Sequence, residues 1–223
     1  HRLSETNGDY GGLEFHGHPS SISTYRKGGI YWQTDGSGFG RGDMVFVNDN
    51  VGDSNNLQIS DEKMRIHREG YLTKPHQVGF YATANSGGTV YMSSTHTLTN
   101  WRLSTSGKTY SIGGHFNTSN GRFTAPVSGQ YLFTASILLA GYDQANDIHM
   151  MWRKNGSTYQ YWYNTRTGNI DRSGYGGYLA QGSTTTFSLS ANDYVDVHIS
   201  FNGSLSLWCG DANWGHFSGH LLG

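Results

Sequence analysis

The stretch FTAPVSGQYLF, at residues 123–133, decides the fold of this chain. It begins as the end of a strand and is interrupted at Pro126, which cannot donate a backbone hydrogen bond to a sheet. The Ser-Gly pair that follows favours a turn, where Gly129 is predicted to have a structural role. The strand then resumes with side chains on alternating faces, so Tyr131 and Phe133 point to the same side. The stretch therefore predicts two strand segments separated by a tight turn.

The residues around this stretch resemble the signature of the complement C1q globular head, a tumour-necrosis-factor-like jelly roll. The signature positions are occupied by Phe116, Phe123, Gly129, Tyr131 and Phe133. Three more motifs agree in family order: RKNG at 153–156, NDYVDV at 192–197 and FSGHLL at 217–222.

This resemblance spans about residues 75–223. Ser111 and Ala135 depart from the family pattern, which affects the expected packing and not the expected fold. The resemblance implies a ten-stranded sandwich that assembles as a tight trimer and binds a partner at its surface.

Composition bounds the class of protein. Of the 223 residues, 35% are hydrophobic, 14% are charged and 14% are aromatic, and 32 are glycines. These proportions indicate a turn-rich all-β protein of one or two domains. The net charge of −1 does not suggest nucleic-acid binding, and no apolar run reaches the roughly 18 residues needed for membrane insertion. Because the chain begins with His1, we expect a fragment or a processed chain.

The single cysteine, Cys209, excludes an intrachain disulfide and a zinc site built from the cysteines of one chain. A buried apolar thiol is one interpretation, and an intermolecular bridge is the other. Secreted eukaryotic heads of this size more often carry paired cysteines, so this composition favours another origin.

The first 73 residues contain five short apolar pairs at alternate positions. The pairs are Leu13/Phe15, Ile30/Trp32, Met44/Phe46, Leu57/Ile59 and Met64/Ile66. This period predicts strands, and the intervening Gly, Asn and Asp residues predict turns. Val45 and Val47 make one strand apolar on both faces, which requires cover on both. Since so short a region buries little surface alone, we expect it to interdigitate with identical chains around a threefold axis.

A second resemblance concerns residues 38–73. GDMVFV at 42–47 is followed by ISDEKMRIHREG at 59–70. A Gly-Asp-apolar strand, followed by a Met-Arg-Ile strand and an acidic-Gly turn, is similar to shaft segments of bacteriophage tail fibres. The resemblance implies a trimeric fibre shaft.

Pro75 marks the expected boundary between two regions, because it disfavours helix and suits an extended connector. We predict a shaft-like β region at residues 1–73 and a C1q/TNF-like head at residues 74–223. Short strands with turn residues between them indicate a sandwich or jelly roll in the head without the family resemblance. The predicted fold class is all-β, a short-stranded trimeric fibre shaft followed by a jelly-roll β-sandwich head.

Catalytic motifs are weak in this sequence, which has no Gly-x-Ser-x-Gly elbow and no His-Glu-x-x-His pair. A glycan-cleaving head would need two carboxylates that face one sugar. The acids of the head are instead expected at turns or strand ends: Asp143, Asp147, Asp171, Asp193, Asp196 and Asp211. We therefore predict no enzymatic activity, no catalytic residue and no required cofactor.

His16 and His18 form the only His-x-His motif of the chain. Alternate positions on a strand put both rings on one face, and three copies on a trimer axis would offer six imidazoles to an octahedral transition-metal ion. Some phage fibres resemble this arrangement. Two solvated turn histidines before Pro19 are the alternative interpretation.

Aromatic residues give the strongest indication of a binding surface. YQYWY at 159–163 alternates, and we expect its three tyrosines to face the core or a trimer interface, with Trp162 on the opposite face. A long polar loop follows at residues 164–178, and loops of this length are often functional. Trp208 and Trp214 flank a second turn, which contains Asp and Asn. Aromatic rings beside amides and carboxylates are typical of sugar sites.

We predict six receptor contacts in these segments: Trp162, Arg172, Tyr175, Asp211, Asn213 and Trp214. Trp214 would stack on the ligand, and the polar side chains would hold its hydroxyl groups or its charge. The alternative assigns Trp208 to the core and Trp214 to interface packing.

Three functions from different classes fit the sequence. The leading hypothesis is the receptor-binding tip of a bacteriophage tail fibre, a homotrimer on the virion that binds a host cell-surface glycan or protein and joins the remainder of the fibre. The second is a secreted or bacterial-surface C1q-like binding protein, although no collagen-like Gly-x-y repeat precedes the head. The third is an enzyme that acts on surface glycans.

Overall fold

The computed structural model of the protein describes residues 6–16, 25–85, 87–92, 95–140, 145–165, 178–209 and 213–223. Over these residues the regular structure consists of β-strands and one short 3₁₀ helix. The chain divides into two compact units, His1–His76 and Gln77–Gly223. The described part of the chain contains no helix that is both long and apolar enough to cross a membrane.

The N-terminal unit is one antiparallel sheet whose strands are adjacent in chain order. The strands are β1 (Tyr10–His16), β2 (Arg26–Thr34), β3 (Gly42–Asn48), β4 (Glu62–Ile66) and β5 (Leu72–Thr73). One face of the sheet carries a small core of four buried residues, Tyr31, Val45, Val47 and Leu57. That this unit is a fibre shaft remains a prediction.

Residues 57–61 differ from the predicted strand. Leu57 lies in a loop, and the 3₁₀ helix spans Ile59–Asp61. The Asp61 carboxylate accepts a hydrogen bond from the Gln58 amide at 2.7 Å, and the Asp61 amide donates to the Gln58 carbonyl at 2.9 Å. These local bonds favour a tight turn over a strand. The turn lets Leu57, which is buried, pack on the small core.

The head is a two-sheet β-sandwich of the jelly-roll type, as the family resemblance implies. Its strands are β6 (Gly79–Ala84), β7 (Gly88–Met92), β8 (His96–Thr97), β9 (Trp101–Arg102), β10 (Tyr110–Ile112), β11 (Phe116–Asn117), β12 (Arg122–Thr124), β13 (Gly129–Ala140), β14 (Ala145–Lys154), β15 (Ser157–Thr165), β16 (Tyr178–Leu189), β17 (Tyr194–Gly203), β18 (Leu205–Cys209) and β19 (His216–Leu221). The first sheet has the order β10-β6-β19-β13-β18-β7, with β16 also paired to β13 and β9 to β6. The second has the order β11-β12-β17-β14-β15, with β8 beside β17.

The fold-deciding stretch lies at the centre of the core between these sheets. Five alternate residues of β13 are at most 1% exposed: Tyr131, Phe133, Ala135, Ile137 and Leu139. The Phe133 ring meets the rings of Phe123 and Phe187 near edge-to-face, at centroid distances of 5.4 and 5.5 Å. Gly219 pairs with Phe133, and a Cβ on Gly219 would collide with the Phe133 ring. The missing side chain at this position therefore makes room for the aromatic core.

Gly129 has a structural role for a reason other than the expected turn strain. Its backbone lies outside the left-handed region. A Cβ on Gly129 would lie 2.9 Å from Leu221 Cδ1 and 3.0 Å from the Gly223 carbonyl oxygen. The same carbonyl accepts a hydrogen bond from the Gln130 amide at 3.0 Å. Gly129 thus permits the close approach of the C-terminal residues.

Two of the family motifs bind each other. The β14–β15 hairpin turns at Asn155 and Gly156, both in the left-handed region, with φ of 51° and 79°. Asn155 Nδ2 donates to Asp193 Oδ1 at 2.7 Å, and the Tyr194 amide donates to Asn155 Oδ1 at 2.9 Å. Lys154 Nζ lies 2.8 Å from Asp193 Oδ2, and this contact is the main reason that the pKa of Asp193 falls to about 2. The hairpin is therefore anchored to the turn that precedes β17.

Asp196 is not the turn or strand-end acid that the sequence predicts. It lies within β17 with a fully buried side chain. Arg153 donates to its two carboxylate oxygens from Nε at 2.7 Å and from Nη2 at 3.0 Å, and Arg122 Nε lies 3.4 Å away. A buried carboxylate requires such partners, because its charge loses hydration on folding. Of the other acids of the head, Asp143, Asp171 and Asp211 lie outside the described residues.

Candidate binding site

An aromatic cleft lies on the side of the first sheet that faces away from the core. Leu138 follows core residue Ile137 and precedes core residue Leu139, so its side chain points to the opposite side of β13. The cleft is predominantly apolar and has a volume of about 360 Å³, within the range of small-ligand sites. It is lined by Leu138, Tyr178, Trp208 and Trp214.

The cleft forms where β18 and β19 share one edge of β13. β19 pairs with β13 as far as Ser136, and β18 pairs with it from Leu139 onward. Leu138 falls between the two pairings. Trp208 lies near the end of β18 and Trp214 lies just before β19, so both side chains border this junction.

β16 supplies the remaining wall of the cleft. It pairs with the other edge of β13 and places Tyr178 opposite Ala140. The rings of Tyr178 and Trp208 meet edge-to-face, with centroids 5.7 Å apart and an interplanar angle of 81°. Leu138 is 7% exposed, whereas Tyr178 and Trp214 are 46% and 51% exposed. The arrangement offers aromatic rings to solvent above a buried aliphatic residue, which is suited to an apolar ligand face.

Contacts on both sides of Trp214 fix its segment. The carbonyl of Gly215 accepts a hydrogen bond from the Ala84 amide at 2.8 Å. Gly215 is buried, and a Cβ there would lie 3.1 Å from a backbone oxygen of β13. On the other side, Lys108 Nζ donates a hydrogen bond to Asn213 Oδ1. These contacts position Trp214 at the edge of the cleft.

Of the six predicted receptor contacts, Trp214 lies in the cleft and its sequence neighbour Asn213 lies beside it, in an exposed turn. Trp208 lines the cleft as well, so the alternative that assigned it to the core is wrong. Arg172, Tyr175 and Asp211 lie outside the described residues, as does the side chain of Cys209. Receptor contact by Trp214, Asn213, Arg172, Tyr175 and Asp211 remains a prediction.

Trp162 lies in the second sheet and does not line the cleft. Its ring stacks on that of Trp152 at a centroid distance of 5.4 Å and packs against the core. Tyr159 and Tyr161 are instead 50% and 55% exposed. Tyr161 and Trp162 still face opposite sides, so the prediction chose the wrong side of the strand as the one that faces the core. At the register shift opposite Met150 and Met151, the neighbours Trp162 and Tyr163 both pack against the core. The interpretation of Trp162 as the outward-facing residue of this strand is wrong.

The sequence prediction missed two residues of the cleft. Leu138 is on the same side of its strand as the polar residues Thr134 and Ser136. An apolar residue on that polar side could have indicated a binding surface. Tyr178 was treated as the last residue of a loop, but the structure makes it the first residue of β16. Its distance in sequence from both tryptophans left no local signal that would group them.

The histidine motif is only partly described. His16 is exposed at the end of β1, opposite Arg26, and His18 lies outside the described residues. Among the residues that the structure describes, no group of three or more His, Cys, Asp or Glu side chains could hold a metal ion. A transition-metal ion on a trimer axis remains a prediction.

Comparisons with known proteins place the chain in a family. A Bacillus subtilis (strain 168) protein named uncharacterized protein YqcC is 32% identical over 82 residues, which cover 37% of this chain and 22% of that relative. The chain thus spans less than a quarter of that protein. The structure of Eiger TNF from S. frugiperda is similar with a TM-score of 0.48 and 11% identity, over 66% of this chain and 93% of that one. The model of the C1q domain matches residues 90–222, well over half of the chain, and the protein therefore belongs to the C1q domain family.

Proposed function

We propose that this protein is a homotrimeric C1q-type binding protein that forms the receptor-binding tip of a bacteriophage tail fibre. The observation that carries the proposal is the exposed aromatic cleft formed by Tyr178, Trp208 and Trp214 on a C1q head. Such rings stack on the C–H face of a sugar or on an apolar side chain, so the ligand is a host cell-surface glycan or protein. C1q domains are commonly extracellular and typically non-enzymatic, which supports attachment over catalysis.

Beyond the cleft, the outward side of β13, β16 and β19 supports the trimer, the typical assembly of C1q and TNF domains. On β19, Phe217 and Gly219 face the core, so His216, Ser218 and His220 face outward. Burial lowers the pKa of both histidines, which favours their neutral form. Small polar side chains of β13 and β16 share this side: Thr134, Ser136 and Thr184. A surface with few charges and small side chains suits the packing of another copy.

The cleft is tested with Trp214→Ala in the full chain. We expect the trimer mass and the melting temperature to remain while attachment to host cells is lost. Truncation of a central anchor typically costs about 2 kcal/mol or more, or roughly 30-fold in Kd. The measurement is binding to a glycan array and to a panel of bacterial strains that includes Bacillus subtilis.

Tyr91→Ala is the matched control, because Tyr91 is an 84% exposed aromatic residue of β7 that does not line the cleft. It should retain both the mass and the binding. If Trp214→Ala dissociates the trimer, Trp214 belongs to the interface between protomers. Unchanged binding by an intact Trp214→Ala trimer would place the receptor site elsewhere on the head.

A secreted or bacterial-surface binding protein is the second candidate, favoured by a family match that requires no virion. Mass spectrometry of density-purified phage particles separates the two functions. The tail-fibre proposal expects the chain in the particle fraction, and the second candidate expects it in particle-free medium or on cells. Release of reducing ends from purified surface glycans by the chain would contradict both.

A further inference from the structure

The sheet of the N-terminal unit has a second apolar face, opposite its small core. Two cross-strand rows form this face. One row runs Leu13, Ile30, Phe46, Met64, and the other runs Trp32, Met44, Ile66, Leu72. Phe15 extends the face at the next position of β1, where its ring lies 3.6 Å from the position of a Cβ on Gly28. Over the described strands these rows contain no charged side chain.

This face is open to solvent within one chain. Leu13, Phe15 and Leu72 are each more than half exposed, and Trp32, Met44 and Ile66 are each between 38% and 39% exposed. The five strands are separated by four spacings of about 4.8 Å and have about seven residues of about 3.3 Å each, which gives a footprint of about 440 Å². A contiguous apolar patch of that size on a soluble protein is often functional.

The ring of Trp32 is already positioned for a partner. Its Nε1 donates a hydrogen bond to the Gly40 carbonyl at 3.0 Å, which satisfies the only polar atom of the indole. Phe39, in the same β2–β3 connection, is 96% exposed. The face therefore presents an indole ring whose position is fixed by a hydrogen bond within the chain.

We infer that this apolar face is covered by the same face of further copies of the chain. The inference deepens the proposed function, since it rests on the proposed trimer. β5 ends at Thr73 and β6 begins at Gly79, so a short connection would tether three such faces to one trimeric head. Short tethers raise the effective concentration to the millimolar range, which favours association among the tethered faces. An uncharged apolar face is complementary to itself.

The charges of the unit argue against a membrane as the occupant. Most of the described basic side chains of the unit are held by carboxylates: Arg26 by Glu14, Lys27 by Asp49 and Asp53, Arg41 by Asp35, Arg65 by Asp43 and Glu62, and Arg68 by Asp35 and Glu69. Binding to anionic lipid uses clustered basic residues that remain available to the headgroups. The paired basic residues of this unit are engaged by carboxylates and are not available to headgroups in this way.

Cysteine cross-linking of the full chain tests the inference. In a Cys209→Ser background, Met44→Cys places a thiol at the centre of the apolar face, and Tyr10→Cys places one on the opposite face. Met44 and Tyr10 are matched in exposure, at 38% and 37%. With a short bifunctional maleimide, we expect Met44→Cys to give covalent dimers and trimers at least 10-fold more efficiently than Tyr10→Cys.

A second variant, Met44→Glu, gives an independent measurement. It should leave the trimer mass unchanged if the head holds the trimer, while amide hydrogen exchange in β2–β4 becomes at least 10-fold faster. An intact trimer with no preference for Met44 cross-links, and with unchanged exchange, overturns the inference alone. A monomeric wild-type chain overturns the trimer and this inference with it. Vesicle binding by the wild type that Met44→Glu abolishes would overturn it in favour of a lipid surface.

Discussion

The buried carboxylate of Asp196 organises a polar network on the outer side of the second sheet. Arg153, which pairs with Asp196, also donates from Nη2 to Thr97 Oγ1 at 2.5 Å. Because that oxygen accepts from the guanidinium, the Thr97 hydroxyl is free to donate to His198 Nδ1, 3.2 Å away. Burial, and then the charge of Arg153, lowers the pKa of His198 to about 4. The network therefore holds His198 neutral in the folded head.

His198 should make the stability of the head depend on pH. An unfolded histidine binds a proton near pH 6.5, whereas the folded His198 does so only near pH 4. Between these values the unfolded state binds more protons, so the free energy of unfolding decreases as the pH falls. The decrease from this half-buried residue is about 2 kcal/mol once screening of its charge by solvent is included. His216 and His220, whose pKa values are also lowered, add a change in the same direction.

His198→Gln should flatten the profile, measured by chemical denaturation between pH 4 and pH 7. His67→Gln, in the N-terminal unit, is the control and should leave the profile of the head unchanged. Parallel profiles for wild type and His198→Gln would show that the network does not suppress protonation of His198.

Among the structural elements, the pair β13–β19 joins the centre of the core to the end of the chain. Six residues of β13 pair with β19, from Tyr131 opposite Leu221 to Ser136 opposite His216. Within this pair Gly219 faces the rings of Phe133 and Phe80. The packing therefore depends on a position without a side chain.

Gly219→Ala should destabilise the head. The new Cβ would collide with Phe133 and would approach Phe80 Cε1 to 2.7 Å. Overpacking of a filled core typically costs about 1–3 kcal/mol, which lowers the melting temperature by roughly 3–10 °C in a domain of this size. Gly87→Ala is the control, because a Cβ at Gly87 meets no atom within 4 Å. The melting temperatures of both variants are measured by thermal denaturation. Equal values for the two variants would contradict this packing.

The same elements show what could be predicted from the sequence. Alternation identified the inward face of β13, because Tyr131 and Phe133 lie on a regular strand with core on one side. In β15 alternation did not reveal which side faces the core, and the neighbours Trp162 and Tyr163 at a register shift both pack against it. Residues 57–61 were misassigned because a hydrogen bond from the Gln58 amide to the Asp61 carboxylate decided the local conformation. The cleft joins Leu138, Tyr178 and two tryptophans that only long-range strand pairing brings together.

As a whole molecule, the protein combines two β units with unequal cores. The head has a large aromatic core between two sheets, whereas the described part of the N-terminal unit has a core of four buried hydrophobic residues and a second apolar face that is open within one chain. Three copies would cover that face and would present three aromatic clefts to one surface. Weak individual sites gain avidity in such an assembly.

The mass of the full chain in solution tests the central claim, that three copies form one binding protein. We expect multi-angle light scattering at micromolar concentration to give about 74 kDa, three times the chain mass of 24.6 kDa. A mass of 24.6 kDa under these conditions would contradict the account.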